Sequence, residues 1–152
     1  MTKRILVLNG PNLDQLGRRE PQIYGSATYD DLVAVCEAAA AELGLSVEVR
    51  QTADEATFIG WLHDVANNNA AGGGVDGLIL NPAAWPHTSV AVRDAAAQLP
   101  VPFVEVHLSN PLAREEFRHT SYTAGIAAGV IAGFGVGSYE LALRGLATRL
   151  SQ

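Results

Sequence analysis

Short apolar runs and longer stretches with helical spacing alternate along the chain. Continuous apolar segments at residues 5–8 and 78–80 predict strands that are buried on both faces, and Phe103, Val104 and Val106 predict a further strand. Alternating Leu45, Val47 and Val49 predict another strand, and small apolar residues near 130–131 predict a fifth. Apolar residues recur at helical spacing over 32–43, 58–65 and 141–146, and a further helix is expected from about residue 88 to just before Pro100. A short helical piece is expected near residues 114–118.

Polar residues and glycines predict where two of these helices begin and end. Thr28 followed by Asp31 resembles a capping box, and Gly44 suits the left-handed residue that closes a helix. Thr52 followed by Glu55 predicts the same kind of start for the next helix.

Strands and helices alternate from one end of the chain to the other. Such alternation implies parallel strands joined by right-handed crossovers, with helices on both faces of the sheet. The sequence therefore predicts an α/β fold, a flavodoxin-like doubly wound five-stranded parallel sheet, formed by residues 1–152 as a single domain.

The charge of the chain limits its possible partners. Its 152 residues carry a formal net charge of −6, which argues against nucleic-acid binding by bulk attraction. Four of the ten basic residues fall in two predicted loops, namely Arg18, Arg19, Arg114 and Arg118. This local positive charge favours a small anionic ligand.

Two features bear on the compartment. No apolar stretch has the length of a signal-peptide core or a membrane span, and the single cysteine, Cys36, excludes an internal disulfide. The sequence predicts a cytoplasmic protein that binds neither membrane nor nucleic acid.

Polar side chains follow three of the predicted strands. They are Asn9 and Asn12 after the first, Asn81 and His87 after the third, and His107, Ser109 and Asn110 after the fourth. The carboxyl ends of parallel strands meet at one edge of a sheet, where ligands bind in doubly wound folds. These side chains are therefore expected to surround one crevice.

A tyrosine lies beside this positive charge. Tyr24 ends the segment GRREPQIY, in which Pro21 and the flanking glycines stiffen and bend the chain. An ordinary phenol is almost entirely protonated at neutral pH and is a poor base. A positive charge about 4 Å away contributes about 4 kcal/mol in a partly buried site, which favours the phenolate. Arg19 is the candidate activator of Tyr24; the alternative is a surface loop with solvated arginines.

A glutamate and a histidine share one face of the fourth strand. Glu105 and His107 are two residues apart, so their side chains project to the same side. The carboxylate can orient the imidazole, and the imidazole can then donate a proton to a leaving oxygen. A hydrogen-bonded core histidine is the alternative.

Two other functions stay open on the residues alone. Glu105, His107 and His87 could form the metal site of a hydrolase, although no HExxH or CxxC spacing accompanies them. A flavodoxin-like protein could instead bind a nucleotide or flavin without catalysis. The turn after the first strand, NGPNLDQLG, is rich in asparagine and lacks the glycine, serine and threonine run that cradles phosphate.

Three segments resemble the signature regions of type II 3-dehydroquinate dehydratases, in the same order and at similar separations. They are LNGPNLDQLGRREPQIYG (8–25), LNPAAWPHTSVAVRDA (80–95) and EVHLSNPLAREEFRHTSY (105–122). The segment GVIAGFGVGSYELAL (129–143) is similar to the last strand and helix of the same family. The similarity spans nearly the whole chain.

The resemblance implies reversible loss of water from 3-dehydroquinate through an enolate, without a metal or an organic cofactor. The residue that matches the base is Tyr24, with Arg19 as its activator and Arg114 assisting. His107 matches the acid, with Glu105 behind it. Asn12 matches the residue that supports the enolate oxygen through a water molecule.

The resemblance also implies a set of groups that bind the anionic cyclic carboxylate. Ser109 and the backbone amide of Leu108 match the carboxylate-binding corner. Asn81, His87 and Arg118 match the groups that hold the ring hydroxyls.

Family members form dodecamers, tetramers of trimers, in which an acidic residue of a neighbouring subunit reaches each active site. The matching residue is Asp94. The chain departs from the family pattern at Asp14, Pro86, Leu112 and Thr120, and none of these departures removes a proposed catalytic group.

Overall fold

A computed structural model describes the chain except for residues 1, 19, 70 and 71. The strands are β1 (Arg4–Asn9), β2 (Ser46–Gln51), β3 (Gly77–Asn81), β4 (Phe103–His107) and β5 (Gly129–Ala132). The helices are α1 (Pro21–Tyr24), α2 (Tyr29–Leu43), α3 (Glu55–Ala66), α4 (Val90–Ala96) and α5 (Gly137–Leu150). Single 3-10 turns lie at Leu13–Gln15, Trp85–His87, Pro111–Ala113, Glu116–Arg118 and Ala124–Ile126.

The strands form one parallel sheet in the order β2-β1-β3-β4-β5. This is the flavodoxin-like order, in which the chain reverses direction across the sheet between β1 and β3. The predicted fold class is confirmed. Pairing of Asn9 with Asn81 places the ends of β1 and β3 side by side at the switch point.

Alternate residues of the central strands enter two separate cores. Ile5 and Val7 pack into a core that contains the apolar faces of α2 and α5. Leu6 and Leu8 pack into the opposite core, against α3 and α4. The predicted continuous apolar runs follow from this burial on both faces.

The two predicted helix starts differ in outcome. Thr28 and Asp31 form the capping box, with hydrogen bonds of 2.9 and 3.1 Å, and Gly44 closes α2 at φ 70°. The predicted start at Thr52 is wrong, because α3 begins after Asp54. The Asp54 carboxylate accepts from the Ala56 amide at 3.2 Å, while the Thr52 hydroxyl accepts from the Asp54 amide at 3.0 Å.

Two further boundaries also move. The helix expected from about residue 88 begins after Ser89, whose hydroxyl accepts from the Val92 amide at 2.9 Å. The helical piece expected at 114–118 is replaced by two 3-10 turns, with Arg114 extended between them. The Asn110 side chain accepts from the Leu112 amide at 3.1 Å, which starts the first turn at Pro111.

Cys36 lies wholly inside the core under α2. Burial, with a smaller contribution from the charge of Glu37, raises the pKa of its thiol to about 12. The residue is therefore a packing group and not a nucleophile. Among the described residues, no helix is long and apolar enough to cross a membrane.

The turn after β1 packs closely against the turn after β3. The Gly10 amide donates to the Asn81 carbonyl at 2.8 Å, and a Cβ added at Gly10 would lie 2.8 Å from the Pro82 carbonyl oxygen. Only glycine allows the two backbones to approach this closely. The contact holds two of the strand ends that carry the candidate site.

Gly10→Ala is expected to destabilise the fold by about 1–3 kcal/mol, because the new methyl group meets backbone that cannot rotate away. The measurement is urea unfolding followed by circular dichroism. Gly145→Ala in α5 is the control: no atom lies within 4 Å of its added Cβ, and the change is expected to be neutral or stabilising by up to about 1 kcal/mol. Equal stability of the two variants would contradict the close packing.

Candidate active site

A cavity of about 230 Å³ opens at the carboxyl ends of β1, β3 and β4. Nearly all of the sequence-predicted site residues contribute to it. Those lining it are Asn12, Tyr24, Asn81, His87, His107, Leu108, Ser109, Arg114 and Arg118. Glu105 lies behind His107, Asp94 lies on α4 in an exposed ion pair with Arg93, and Arg19 lies outside the described residues.

Two of the predicted strand-end residues do not line this cavity. Asn9 is completely buried, and Asn110 caps the turn at Pro111–Ala113. The Asn9 amide nitrogen donates to the Arg50 carbonyl at 3.2 Å, and its carbonyl oxygen accepts from the Tyr139 hydroxyl at 2.6 Å. Asn9 therefore supports the structure around the site and does not face the cavity.

Tyr139 of α5 ties two strand ends together. Its hydroxyl donates to Asn9 and accepts from the Asn81 amide nitrogen at 2.8 Å. The Asn81 side-chain oxygen accepts from the Ala83 amide at 3.2 Å. These bonds fix the orientation of Asn81, which keeps one further N–H for the cavity.

Tyr24 lies at the end of α1, beside an arginine. The guanidinium carbon of Arg114 is 5.1 Å from the centre of the Tyr24 ring, a distance typical of a cation–π contact. Burial raises the pKa of both Tyr29 and Tyr139, so these phenols stay protonated. Tyr24 is the tyrosine that combines a place in the cavity with an arginine beside its ring.

Glu105 and His107 form the pair that their spacing predicts. His107 Nε2 is 2.9 Å from Glu105 Oε2, and both side chains are nearly buried. The hydroxyl of Ser121 donates to the two carboxylate oxygens at 3.0 and 2.9 Å, and the hydroxyl of Thr123 donates to Oε1.

The charge state of Glu105 follows from these contacts. Burial opposes ionisation, but hydrogen bonds from His107, Thr123 and Ser121, together with the charge of His107, outweigh it. They hold the pKa of Glu105 below its ordinary value. The carboxylate is ionised at neutral pH and can stabilise a protonated imidazole.

His87 stacks on this pair. Its ring centre is 6.3 Å from that of His107, at an interplanar angle of 20°. The Nδ1 atom of His87 lies 2.7 Å from the Thr120 carbonyl oxygen, so the ring is seated even though Pro86 replaces a residue with a backbone donor.

Two arginines make one side of the cavity positive. Arg114 donates to the Ser109 hydroxyl at 3.3 Å, and Arg118 binds the Glu115 carboxylate at 3.2 Å. The Nε atom of Arg114 is buried without a hydrogen-bond partner among the described residues, since the Glu115 oxygen is 3.7 Å away. An adjoining cavity of about 370 Å³ shares Tyr24, Leu108, Ser109 and Arg114. This side of the site is suited to an anion.

The structure does not favour the two alternative functions. Within the described part of the chain, no group of three His, Cys, Asp or Glu side chains is arranged to hold a metal ion. Both Glu105 oxygens accept hydrogen bonds from protein donors. In the turn after β1, the Gly10 amide donates to the Asn81 carbonyl and is not available to a phosphate group.

Sequence reasoning missed three residues that support the site. Ser121 and Thr123 hold Glu105, and Tyr139 holds Asn81. All three lie within the segments that carry the family resemblance or between them. No local pattern shows that their hydroxyls reach strand ends far away in the chain.

The fold and the cavity define an α/β protein with a ligand site at the strand ends. This site brings together a tyrosine–arginine pair and a histidine–glutamate pair, which suit acid–base chemistry on a small anion. The model of the family described as Dehydroquinase class II matches residues 3–147. The chain belongs to this family, which confirms the resemblance found in the sequence.

Relatives and solved structures agree with this assignment. The chain is 55% identical over 146 residues to the 3-dehydroquinate dehydratase of Salinispora tropica, which covers 96% of this chain and 98% of that protein. It is 51% identical over 149 residues to 3-dehydroquinate dehydratase 2 of Pseudomonas aeruginosa, covering 98% of this chain and 97% of that protein. The crystal structure of the type II dehydroquinase from Propionibacterium acnes superposes with a TM-score of 0.88 at 53% identity, covering 97% and 98% of the two chains.

Tyr139→Phe is expected to lower the free energy of unfolding by about 1–3 kcal/mol, because it leaves the buried Asn9 oxygen without its donor. Denaturant unfolding measures the change. Tyr122→Phe serves as the control, since the Tyr122 side chain is largely exposed, and a near-zero change is expected. If Tyr139→Phe is as stable as the control, the hydrogen bond from Tyr139 to Asn9 does not stabilise the fold.

Proposed function

We propose that the chain acts as a 3-dehydroquinate dehydratase, a hydro-lyase that reversibly removes water from 3-dehydroquinate to give 3-dehydroshikimate. The observation that carries the proposal is the meeting of Tyr24, under Arg114, and His107, held by Glu105, in one cavity. Family membership and curated relatives named for this activity at 51–56% identity support it.

In the proposed first step, Tyr24 acts as the base. Its phenolate removes a proton from the carbon beside the substrate ketone, which gives an enolate and a neutral tyrosine. Arg114 lies against the ring and favours the anionic phenolate. Arg19 lies outside the described residues, and its role as the activator of Tyr24 stays a prediction.

Asn12 is proposed to support the enolate. It lines the cavity and has a left-handed backbone conformation with φ 72°. It lies two residues after Gly10, whose backbone packs against Pro82. A donor aimed at the developing oxyanion, directly or through water, lowers the energy of the enolate.

In the proposed second step, His107 acts as the acid. The imidazolium donates a proton to the departing hydroxyl while the enolate electrons form the new carbon–carbon double bond, and water leaves. The ionised Glu105 stabilises the imidazolium before the transfer. Loss of the tyrosine proton and uptake of a proton by His107 restore the starting state.

The remaining cavity residues are proposed to bind the substrate. Ser109 and the Leu108 amide, beside Arg114, hold the carboxylate. Asn81, His87 and Arg118 hold the ring hydroxyls. None of these roles uses a metal or an organic cofactor.

The assembly and the cellular role are part of the same proposal. We infer a homododecamer, a tetramer of trimers, in which Asp94 of a neighbouring subunit reaches each site; its exposed position on α4 leaves it accessible to another copy. We further propose that the protein serves the shikimate pathway of aromatic amino-acid biosynthesis and that it acts in the cytoplasm.

Tyr24→Phe tests the base. The variant is expected to lose about 10²–10⁴-fold in kcat, because general acid–base catalysis contributes that much. The measurement is the ultraviolet absorbance of the conjugated enone formed from 3-dehydroquinate. Binding of a substrate analogue and thermal unfolding should be close to those of the parent protein. Normal turnover in Tyr24→Phe would exclude this residue as the base.

Subunit complementation tests Asp94. Tyr24→Phe and Asp94→Asn are each expected to be poorly active alone. Co-expression of the two variants should restore part of the activity, because a subunit with intact Tyr24 then receives Asp94 from its neighbour. Light scattering on the same samples measures the assembly. If activity is not restored although mixed oligomers form, Asp94 does not act between subunits.

A further inference from the structure

The segment of residues 120–123, which links the turn at Glu116–Arg118 to the turn at Ala124–Ile126, contacts one histidine of the cavity directly and the other through Glu105. Its Thr120 carbonyl lies 2.7 Å from His87 Nδ1. The hydroxyls of Ser121 and Thr123 bind the Glu105 carboxylate that holds His107. The Tyr122 amide fastens the segment to the Pro86 carbonyl at 2.8 Å.

The contact with Thr120 determines the tautomer of His87. A backbone carbonyl can only accept a hydrogen bond, so Nδ1 of His87 must carry a proton. In the neutral ring the proton-free nitrogen is then Nε2. His87 therefore presents an acceptor to the cavity and binds a hydroxyl that donates to it.

The contacts with Glu105 determine the proton on His107. The Ala124 amide donates to the Ser121 oxygen at 3.1 Å, which turns the Ser121 hydroxyl proton toward the carboxylate. Thr123 is fully buried and donates to the same carboxylate. With two donors, Glu105 stays an ionised acceptor, so the Nε2 atom of His107 carries a proton and Nδ1 is left for the cavity.

The charged surroundings of Glu105 favour the same state. The space beside it is lined by the titratable or charged side chains His87, His107, Arg118 and His119, and by no second carboxylate among the described lining residues. A neighbouring carboxylate would oppose ionisation of Glu105, whereas the charge of His107 favours it.

Building on the proposed function, we propose that residues 120–123 are a positioning element that assigns the protons of the cavity: the neutral His87 ring carries its proton on Nδ1 and accepts through Nε2, and His107 carries a proton on Nε2 toward Glu105, so that the second proton of its imidazolium is presented to the cavity through Nδ1. Ser121 and Thr123 act through Glu105 and do not touch the substrate. One backbone carbonyl thus fixes the proton of His87, and two hydroxyls, acting through Glu105, fix the proton of His107.

The proton positions are tested on the intact, substrate-free protein by nitrogen-15 NMR of its histidine rings. Under conditions where the rings are neutral, His87 is expected to be protonated at Nδ1 and His107 at Nε2. Opposite tautomers on either ring would overturn the proposal. Because this measurement needs no turnover, it distinguishes failure of this inference from failure of the proposed dehydratase activity.

The role of the hydroxyls is tested with Thr123→Val and the conservative Thr123→Ser. Loss of a donor is expected to raise the pH at which the Glu105 carboxyl titrates by about one unit, followed by carbon-13 NMR. The kcat is expected to fall about 10–100-fold with little change in KM, as part of the 10²–10⁴ that general acid catalysis contributes. Thr123→Ser should restore both values.

Thr148→Val on α5 is the matched control, since its hydroxyl donates to the Arg144 carbonyl of its own helix at 3.1 Å, and it is expected to behave like the parent. If Thr123→Val does not fold, the half-exposed Ser121→Ala variant replaces it, with the same expected directions. Unchanged titration of Glu105, or loss of activity that only follows the folded fraction, would show a structural role and overturn the proposal.

Discussion

Parallel pairing of β1, β3 and β4 places three strand ends at one edge of the sheet, and the candidate site depends on this arrangement. The strands carry Asn9, Asn81 and His107 as their last residues. Tyr139 bonds two of these residues from α5, and Gly10 lets the first turn pack against Pro82. The strand ends that form the cavity are thus held by the buried Tyr139 hydroxyl and by the close backbone contact at Gly10.

For the binding of an anionic ligand, the local charge of the cavity matters more than the net charge of the chain. The chain is acidic, with a net charge of −6, but the cavity collects Arg114 and Arg118. The Glu105 carboxylate accepts hydrogen bonds from His107 and from two hydroxyls. A buried anion with this many donors is stable, and it stabilises positive charge on the histidine beside it.

The proposed base and the proposed acid are held in different ways. His107 extends from a central strand and is fixed by buried side chains. Tyr24 ends the four-residue helix α1, which begins at Pro21 and is closed by Gly25 at φ 83°. Pro21 favours the start of α1, and Gly25 can adopt the positive φ that ends it, so the backbone that carries Tyr24 is restrained at both ends.

The sequence alone determined what depends on neighbouring residues. Apolar runs predicted the strands, Thr28 and Asp31 predicted a helix start, and the two-residue spacing of Glu105 and His107 predicted their pairing. Tertiary structure joined groups that are far apart in the chain. Tyr139 bonds Asn9 across 130 positions, and Thr123 bonds Glu105 across 18. Local rules act over a few residues, whereas these contacts arise only after the strand order and the helix packing bring distant hydroxyls to the strand ends.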